Sequence, residues 1–486
     1  MASGITGTLW SGLWDLAGGA TATLDAALNE HRIRLAITGL SRSGKTAFIT
    51  SLLQNLVALG AGRDTLPALS RRLEQNGRTR LRGVTLLPTG AETIPYFDFS
   101  EKLARLAAEQ PEWPAPTADL SQISVSLVVE HQAALRQWFG YRRVRLDILD
   151  YPGEWLLDLP LLNQDFATWS ADTLAALATP PRQPHAAAFL AFLRGIAPAD
   201  AADGAVIRRG HRLYVDAIKA CRQELGLRYL QPGRFLAPGP WGDAPFMWFF
   251  PLPGDGAAPP PGSIALLLRE RFDTYKREVR AGFFDTHFRA FNRQVMLVDV
   301  LDALHAGRAA FEDTARAVHD LAAGLRDGWG FWNSLAAAAL PAGLAPRPVE
   351  RVAFVATKAD RVPLPDRVRL QSLLRALAAP AAQSWEQARA AVSYHAAASI
   401  SATQDATAMV DGRRMDVVEG RLPGEDRVRP FYAGEIPDNM PPPGYWTAPY
   451  FAMPVFQPPL IDPSGISGIR HLGLDAVLDA VIGDLL

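Results

Sequence analysis

The apolar positions of this chain change period along its length, and the changes divide it. Leu9, Leu13 and Leu16, with Trp10 and Trp14 beside them, recur at helical spacing as far as Gly18-Gly19. A short second helix is predicted from Ala22 to Asn29, so residues 1–30 read as an N-terminal helical arm. A short apolar strand, Arg34 to Thr38, then enters a glycine-containing turn and a strong helix pattern from Ala47 to Leu59. Ser121 to Glu130 places Ile123, Val125, Leu127 and Val129 on one face, and Val144 to Leu149 does the same with Val144, Leu146 and Ile148. This alternation predicts two strands paired antiparallel.

From Trp155 to Asn292 the period becomes helical, most clearly in His211 to Leu225 and Ile264 to Val279. Between these two lies Ala237 to Gly262, rich in Pro and Gly but carrying Trp241, Phe246, Trp248, Phe249 and Phe250, which need a surface to pack on. Strand signals return at Gln294–Val300, Val352–Ala356 and Val392–Ala398, alternating with helix patterns at Ala309–Leu325 and Leu370–Ala378. Arg413 to Pro437 reads as a hairpin, Pro441 to Pro463 as a surface segment and Leu472 to Leu486 as a closing helix. Alternating β and α elements predict an α/β fold, a mainly parallel sheet flanked by helices. In this reading 31–154 and 293–486 are two parts of one domain, 155–292 is a large helical insertion, and the hairpin and Pro-rich excursion fall near 405–463.

With 486 residues, 48% hydrophobic and 20% charged, the chain can bury a large core. A formal charge of −1 removes the whole-molecule electrostatic case for nucleic acid. The single cysteine, Cys221, rules out a disulfide framework and a thiolate metal cluster, and no His-x-x-x-His pair offers a zinc site. No apolar run reaches the roughly 18 residues of a membrane span, and the N-terminus lacks the basic region of a secretory signal. Cytoplasmic residence is therefore expected. The Trp-containing arm is expected to pack on the protein, the alternatives being a partner-binding helix or peripheral contact with the inner membrane; it lacks the basic face of an interfacial helix. Only five of 49 basic residues are lysine, so a lysine marks a position where arginine does not suffice.

Two of those five lie in motifs. Gly39-x4-Gly44-Lys45-Thr46, between strand and helix, has the pattern of a phosphate-binding loop. Its glycines let the amides of Ser41, Arg42, Ser43 and Ala47 turn toward a polyphosphate, Lys45 reaches the β- and γ-phosphates, and the Thr46 hydroxyl ligates Mg²⁺. Asp150 ends an apolar strand, where a carboxylate can organise the metal through water, and Gly153 three residues later can offer its N–H to a γ-phosphate. Glu154 stands where it either positions a water or satisfies helix N-terminal donors. Thr357-Lys358-Ala359-Asp360 ends another strand: the carboxylate of Asp360 can accept from guanine N1 and N2 while the Lys358 stem covers the base. Ala398 and Ser399 could present amides to guanine O6. A second Mg²⁺ hydroxyl is expected from the proline-interrupted loop before the Ser121 strand, with Thr117 first and Ser121 second, although Thr117 can also be read as a cap. Asp299 and Asp302 read as helix caps. No arginine finger is evident; Arg42 is a candidate, with a structural or partner-facing role as the alternative.

Ile37 to Leu52, the Trp113-Pro114-x-x-Thr117 segment, Asp150-Tyr-Pro-Gly-Glu-Trp155 with Leu156 to Pro160, Gln294 to Leu301 and Thr357 to Asp360 resemble the YcjX-like family of bacterial P-loop GTPases. The resemblance implies a Ras-like core with a helical insertion, binding GDP and GTP with Mg²⁺, in proteins associated with envelope stress. By position it implies phosphate-loop roles for Gly39, Gly44, Lys45 and Thr46, metal and γ-phosphate roles for Asp150 and Gly153, and a guanine role for Lys358 and Asp360. Threonine at 357, where GTPases usually carry asparagine, removes the side chain that normally ties base loop to phosphate loop. The expectation is a slow, nucleotide-controlled GTPase switch with a protein partner at the insertion or switch segments. An ATPase and a non-catalytic nucleotide-dependent interaction protein are the alternatives.

Overall fold

In the computed structural model, the described residues are 30–75, 79–87, 95–115, 117, 119–131, 141–254, 258–284, 291–339, 349–410, 412–447, 453–462 and 467–486. The expected N-terminal helices lie outside them. Seven strands form the central sheet: β1 (Glu30–Gly39), β2 (Thr79–Leu87), β3 (Ser121–His131), β4 (Tyr141–Asp150), β5 (Arg293–Val298), β6 (Arg351–Ala356) and β7 (Ala391–Ala396), in the order β2-β3-β4-β1-β5-β6-β7. β4, β1, β5, β6 and β7 are parallel, whereas β3 is antiparallel to both β4 and β2.

The sheet is apolar on both sides because helices cover both. Ile33, Leu35 and Ile37 of β1 pack with Phe48, Ile49, Leu52 and Leu56 of α1 (Lys45–Gly60), with α2 (Pro67–Gln75), and with Leu474, Val477 and Val481 of α11, defined below. Ala36, Met296, Val298, Val352 and Phe354 face the other way. There they meet a core built from α8 (Val300–His305), α9 (Arg308–Ala339) and α10 (Leu364–Gln387). The closing helix α11 is Leu474–Ile482, and α3 (Phe99–Leu106) precedes β3.

Among the described residues, the α-helices between β4 and β5 are α4 (Phe166–Leu177), α5 (Gln183–Leu193), α6 (Gly204–Glu224) and α7 (Ile264–Val279). They share a separate core that takes in Trp169, Phe189, Tyr214, Phe249, Phe250 and Phe272, so the aromatics of the Pro- and Gly-rich loop close this insertion from within. After β7, β8 (Thr403–Val410), β9 (Arg413–Arg421) and β10 (Val428–Phe431) form a three-stranded antiparallel sheet, in which β9 and β10 are the expected hairpin and β8 adds a strand on the other side of β9. α10 continues through Pro380 well past Ala378, where the apolar pattern had suggested its end. Among the described residues, no helix is long and apolar enough to cross a membrane.

Candidate functional site

The turn after β1 is shaped by its glycines. Gly44 caps α1 with φ 90°, a left-handed conformation that glycine adopts without strain, and α1 has neither a side-chain cap nor an acid in its first turn. The positive end of the helix is thus left for an external anion. A Cβ at Gly39 would stand 2.4 Å from Ser43 Oγ and 2.7 Å from the Leu297 carbonyl oxygen, so the loop closes only around a hydrogen. Lys45 Nζ is buried and donates to the carbonyls of Gly39 (3.0 Å) and Leu40 (3.3 Å), which hold the amine at the loop. Burial lowers its pKa, while the charges of Asp150 and Glu154 act in the opposite sense. Ser43 Oγ is buried without a partner among the described residues, Ser41 and Ala47 are half-buried, and Arg42 is exposed with φ 63°.

Beside Lys45 the structure joins three residues from three separate elements. Thr46 Oγ1 lies 2.9 Å from Thr117 Oγ1, and the Thr117 hydroxyl donates to Asp150 Oδ2 at 2.5 Å. Asp150 Oδ1 is buried with no partner among the described residues. Burial raises the Asp150 pKa against the opposing pull of the Thr117 hydrogen bond and the Lys45 charge. Two hydroxyls and a carboxylate with an unused oxygen are hard donors of the kind that suits Mg²⁺. Ser121, the second choice for the hydroxyl, is the β3 residue paired with Asp150.

Gly153 packs directly on the phosphate loop. A Cβ there would lie 2.3 Å from the Gly39 oxygen, 2.7 Å from the Leu40 carbonyl carbon and 2.8 Å from Lys45 Nζ. Gly153 opens a short 3-10 turn, Gly153–Asp158, that is buried throughout. Glu154 in that turn accepts from Arg222 Nη2 at 2.6 Å, and the same nitrogen donates to Ser41 Oγ. Burial alone would raise the Glu154 pKa, yet the Arg222 charge and the Ser41 contact leave it lowered. Arg222 belongs to α6, in the insertion.

The turn is also keyed into the insertion at other points. Trp155 Nε1 donates to the Ala237 carbonyl at 2.7 Å, and Gly233 N–H donates to Asp158 Oδ1 at 2.7 Å. The Arg234 guanidinium sits 3.6 Å from the Trp155 ring centre and 3.9 Å from that of Trp241. A Cβ at Gly233 would lie 1.7 Å from the Glu154 oxygen, so the two segments touch backbone to backbone.

Thr357-Lys358-Ala359-Asp360 follows β6, and only β5 separates β6 from β1. Two strand spacings, about 10 Å, therefore part the two loops along the same C-terminal edge of parallel strands. Asp360 is buried; its Oδ2 accepts the Ala402 N–H at 2.9 Å, and burial raises its pKa. Lys358 has φ 60° and pairs through Nζ with Asp299, which also caps α8 by accepting the Asp302 N–H. Asp302 itself pairs with Arg228. Thr357 bonds through its amide (3.0 Å) and its hydroxyl (3.4 Å) to the Val298 carbonyl, anchoring this loop to β5.

The segment after β7 requires a correction. The Ala398 N–H donates to the Leu472 carbonyl at 2.9 Å, so a backbone bridge uses the amide that had been assigned to guanine O6. The Ser399 carbonyl accepts the Ser51 hydroxyl of α1. The contact that sequence reasoning missed is Arg222: in a chain with 44 arginines, one on a helix 68 residues after Glu154 carries no local signal.

A mainly parallel sheet with a glycine turn feeding a helix, and an acid and a second loop at the same edge, defines a Ras-like P-loop fold with a helical insertion. The chain belongs to the YcjX-like family, DUF463, whose model matches residues 33–486. It is 34% identical over 474 residues to a Ras-like GTPase YcjX of Escherichia coli, covering 95% of this chain and 98% of that one. It is 31% identical over 476 residues to a Ras-like GTPase YcjX of Shewanella oneidensis, covering 94% of this chain and 95% of that one.

Proposed function

We propose that this protein is a Mg²⁺-dependent guanine-nucleotide switch that binds GDP and GTP and hydrolyses GTP slowly. The observation that carries the reading is the contact chain Thr46–Thr117–Asp150 beside a buried Lys45, with one Asp150 oxygen unpartnered among the described residues. Residues 39–47 would cradle the phosphates through backbone amides, and Lys45 would add charge at the β- and γ-phosphates. Thr46, Thr117 and Asp150 would hold Mg²⁺, which when bound supplies neutralisation of phosphate charge. Gly153 would meet the γ-phosphate through its amide, and Asp360 would select guanine, with the Lys358 stem against the base.

Gly153 and Glu154 lie in the turn that also carries Trp155 and Asp158, both bonded to the insertion. A γ-phosphate contact at Gly153 would therefore bias the placement of residues 233–241, and a protein partner reading the insertion would sense the nucleotide. Phosphate release from GTP by the native chain and by Lys45→Ala tests the activity. The expected result is magnesium-dependent turnover lost in the variant; equal release from both would overturn it.

A further inference from the structure

The last turn of α6 brings a cation from the insertion to the mouth of the phosphate loop. Arg222 Nη2 bonds both Ser41 Oγ, in the loop, and Glu154 Oε1, next to Gly153. Both bonds use one nitrogen, and the Arg222 side chain keeps 23% of its surface exposed, so among the described residues the rest of the guanidinium fork is left for a ligand. The helix that presents it is firmly seated. Asp203 caps its start, Tyr214 donates to the Gln231 carbonyl, and a Cβ at Gly210 would stand 2.3 Å from the Phe250 ring. Such seating fixes the backbone beneath Arg222 before any ligand arrives, which is what electrostatic preorganisation requires.

We propose that Arg222 is a catalytic arginine supplied in cis by the helical insertion. This rests on the reading of the site as a GTPase. In hydrolysis a water oxygen forms a bond to the γ-phosphorus, the bond from that phosphorus to the β–γ bridging oxygen breaks, and its electron pair leaves with GDP. The water protons pass to the released phosphate and to solvent. Arg222 stays protonated throughout: its N–H groups exchange the Glu154 carboxylate for the oxygens that gain charge as the bond breaks. Glu154, released from the pair, then faces the attacking water. The insertion thereby completes the reaction centre without a second protein, and a partner that tilts α6 would set the rate.

The test compares the full-length native chain with Arg222→Ala, Arg222→Lys and Lys45→Ala in single-turnover GTP hydrolysis. GDP affinity is measured for each with and without aluminium fluoride, which mimics the transferring phosphoryl group. Arg222→Ala is expected to slow hydrolysis by about 10²-fold or more and to abolish the gain in GDP retention with aluminium fluoride. Its affinity for GDP alone should stay within about threefold of the native value, a split that loss of a merely structural ion pair would not produce. Arg222→Lys keeps a charge for Glu154 but lacks the planar fork, so it should not restore either property; it also provides the test if the alanine variant fails to fold. Native hydrolysis rates and native aluminium fluoride response in both Arg222 variants would overturn the proposal, and so would faster hydrolysis, which would make the arginine a restraint on Glu154. A native chain that bound no guanine nucleotide would instead defeat the underlying reading.

Discussion

Gly153→Ala is the smallest change that acts on the contact between the phosphate loop and the turn after β4. The added methyl carbon would start 2.3 Å from the Gly39 oxygen and 2.8 Å from Lys45 Nζ, and the first of these is backbone that cannot rotate away. Retreat by the turn is resisted on its other side, because Trp155 and Asp158 are bonded to the insertion. Overpacking at a site closed on both sides costs about 1–3 kcal/mol. If the triphosphate state needs the closed contact and the diphosphate state does not, that cost falls on triphosphate affinity alone, a factor of about 5 to 150. Calorimetric titration with Mg²⁺ and either GDP or a non-hydrolysable GTP analogue measures it: GDP affinity should hold while analogue affinity drops within that range. Equal loss for both ligands, or none for either, would refute the argument that Gly153 is where the γ-phosphate is sensed.

Thr117→Ala removes the hydroxyl that links Thr46 to Asp150. The Mg²⁺ concentration needed for half-maximal binding of the triphosphate analogue should rise by up to about tenfold, the worth of one hydrogen bond, and an unchanged requirement would take Thr117 out of the metal set. Asp158 yields a pH prediction: burial raises its pKa from 3.8 to about 6 despite the Arg234 charge and the Gly233 amide. The folded state therefore holds this proton more tightly than the unfolded state, so its stabilising effect is full below pH about 4 and is lost as pH rises through about 6. Between pH 5 and 7.5 the native chain should lose about 1.4 kcal/mol relative to Asp158→Asn, read from urea midpoints; parallel pH profiles would contradict this.

Much of the site could be read from residue order because each motif ends a strand of one parallel sheet, and those strands finish on a single edge. Gly39 and Asp150 are the last residues of β1 and β4, and Thr357 follows β6 directly, so apolar runs and their terminating residues were enough to bring the motifs together. Thr117, singled out by its proline-interrupted loop ahead of β3, lies against Thr46 and Asp150. β2 went unseen because its alternation breaks between Leu81 and Gly83, where the register against β3 shifts. β8 was missed because Thr403 to Val410 offers only Ala406, Ala408 and Met409 before its last residue, too little apolar surface for a strand signal. The apolar pattern covers only Leu370 to Ala378, whereas α10 extends from Leu364 to Gln387 with Pro380 inside it. Arg222 and the Trp155–Arg234–Trp241 stack depend on contacts between segments dozens of residues apart, and no local spacing encodes them.

The central claim is that one nucleotide bridges the loop at Gly39–Thr46 and the carboxylate of Asp360, and that the carboxylate chooses the base. Displacement of fluorescent GDP from the full-length protein by unlabelled GDP, GTP, ADP and ATP, with Mg²⁺ present, measures that choice directly. The account predicts displacement by both guanine nucleotides and at least hundredfold weaker displacement by both adenine nucleotides, since adenine lacks the paired donors that Asp360 would accept. Equal displacement by ATP and GTP would contradict it.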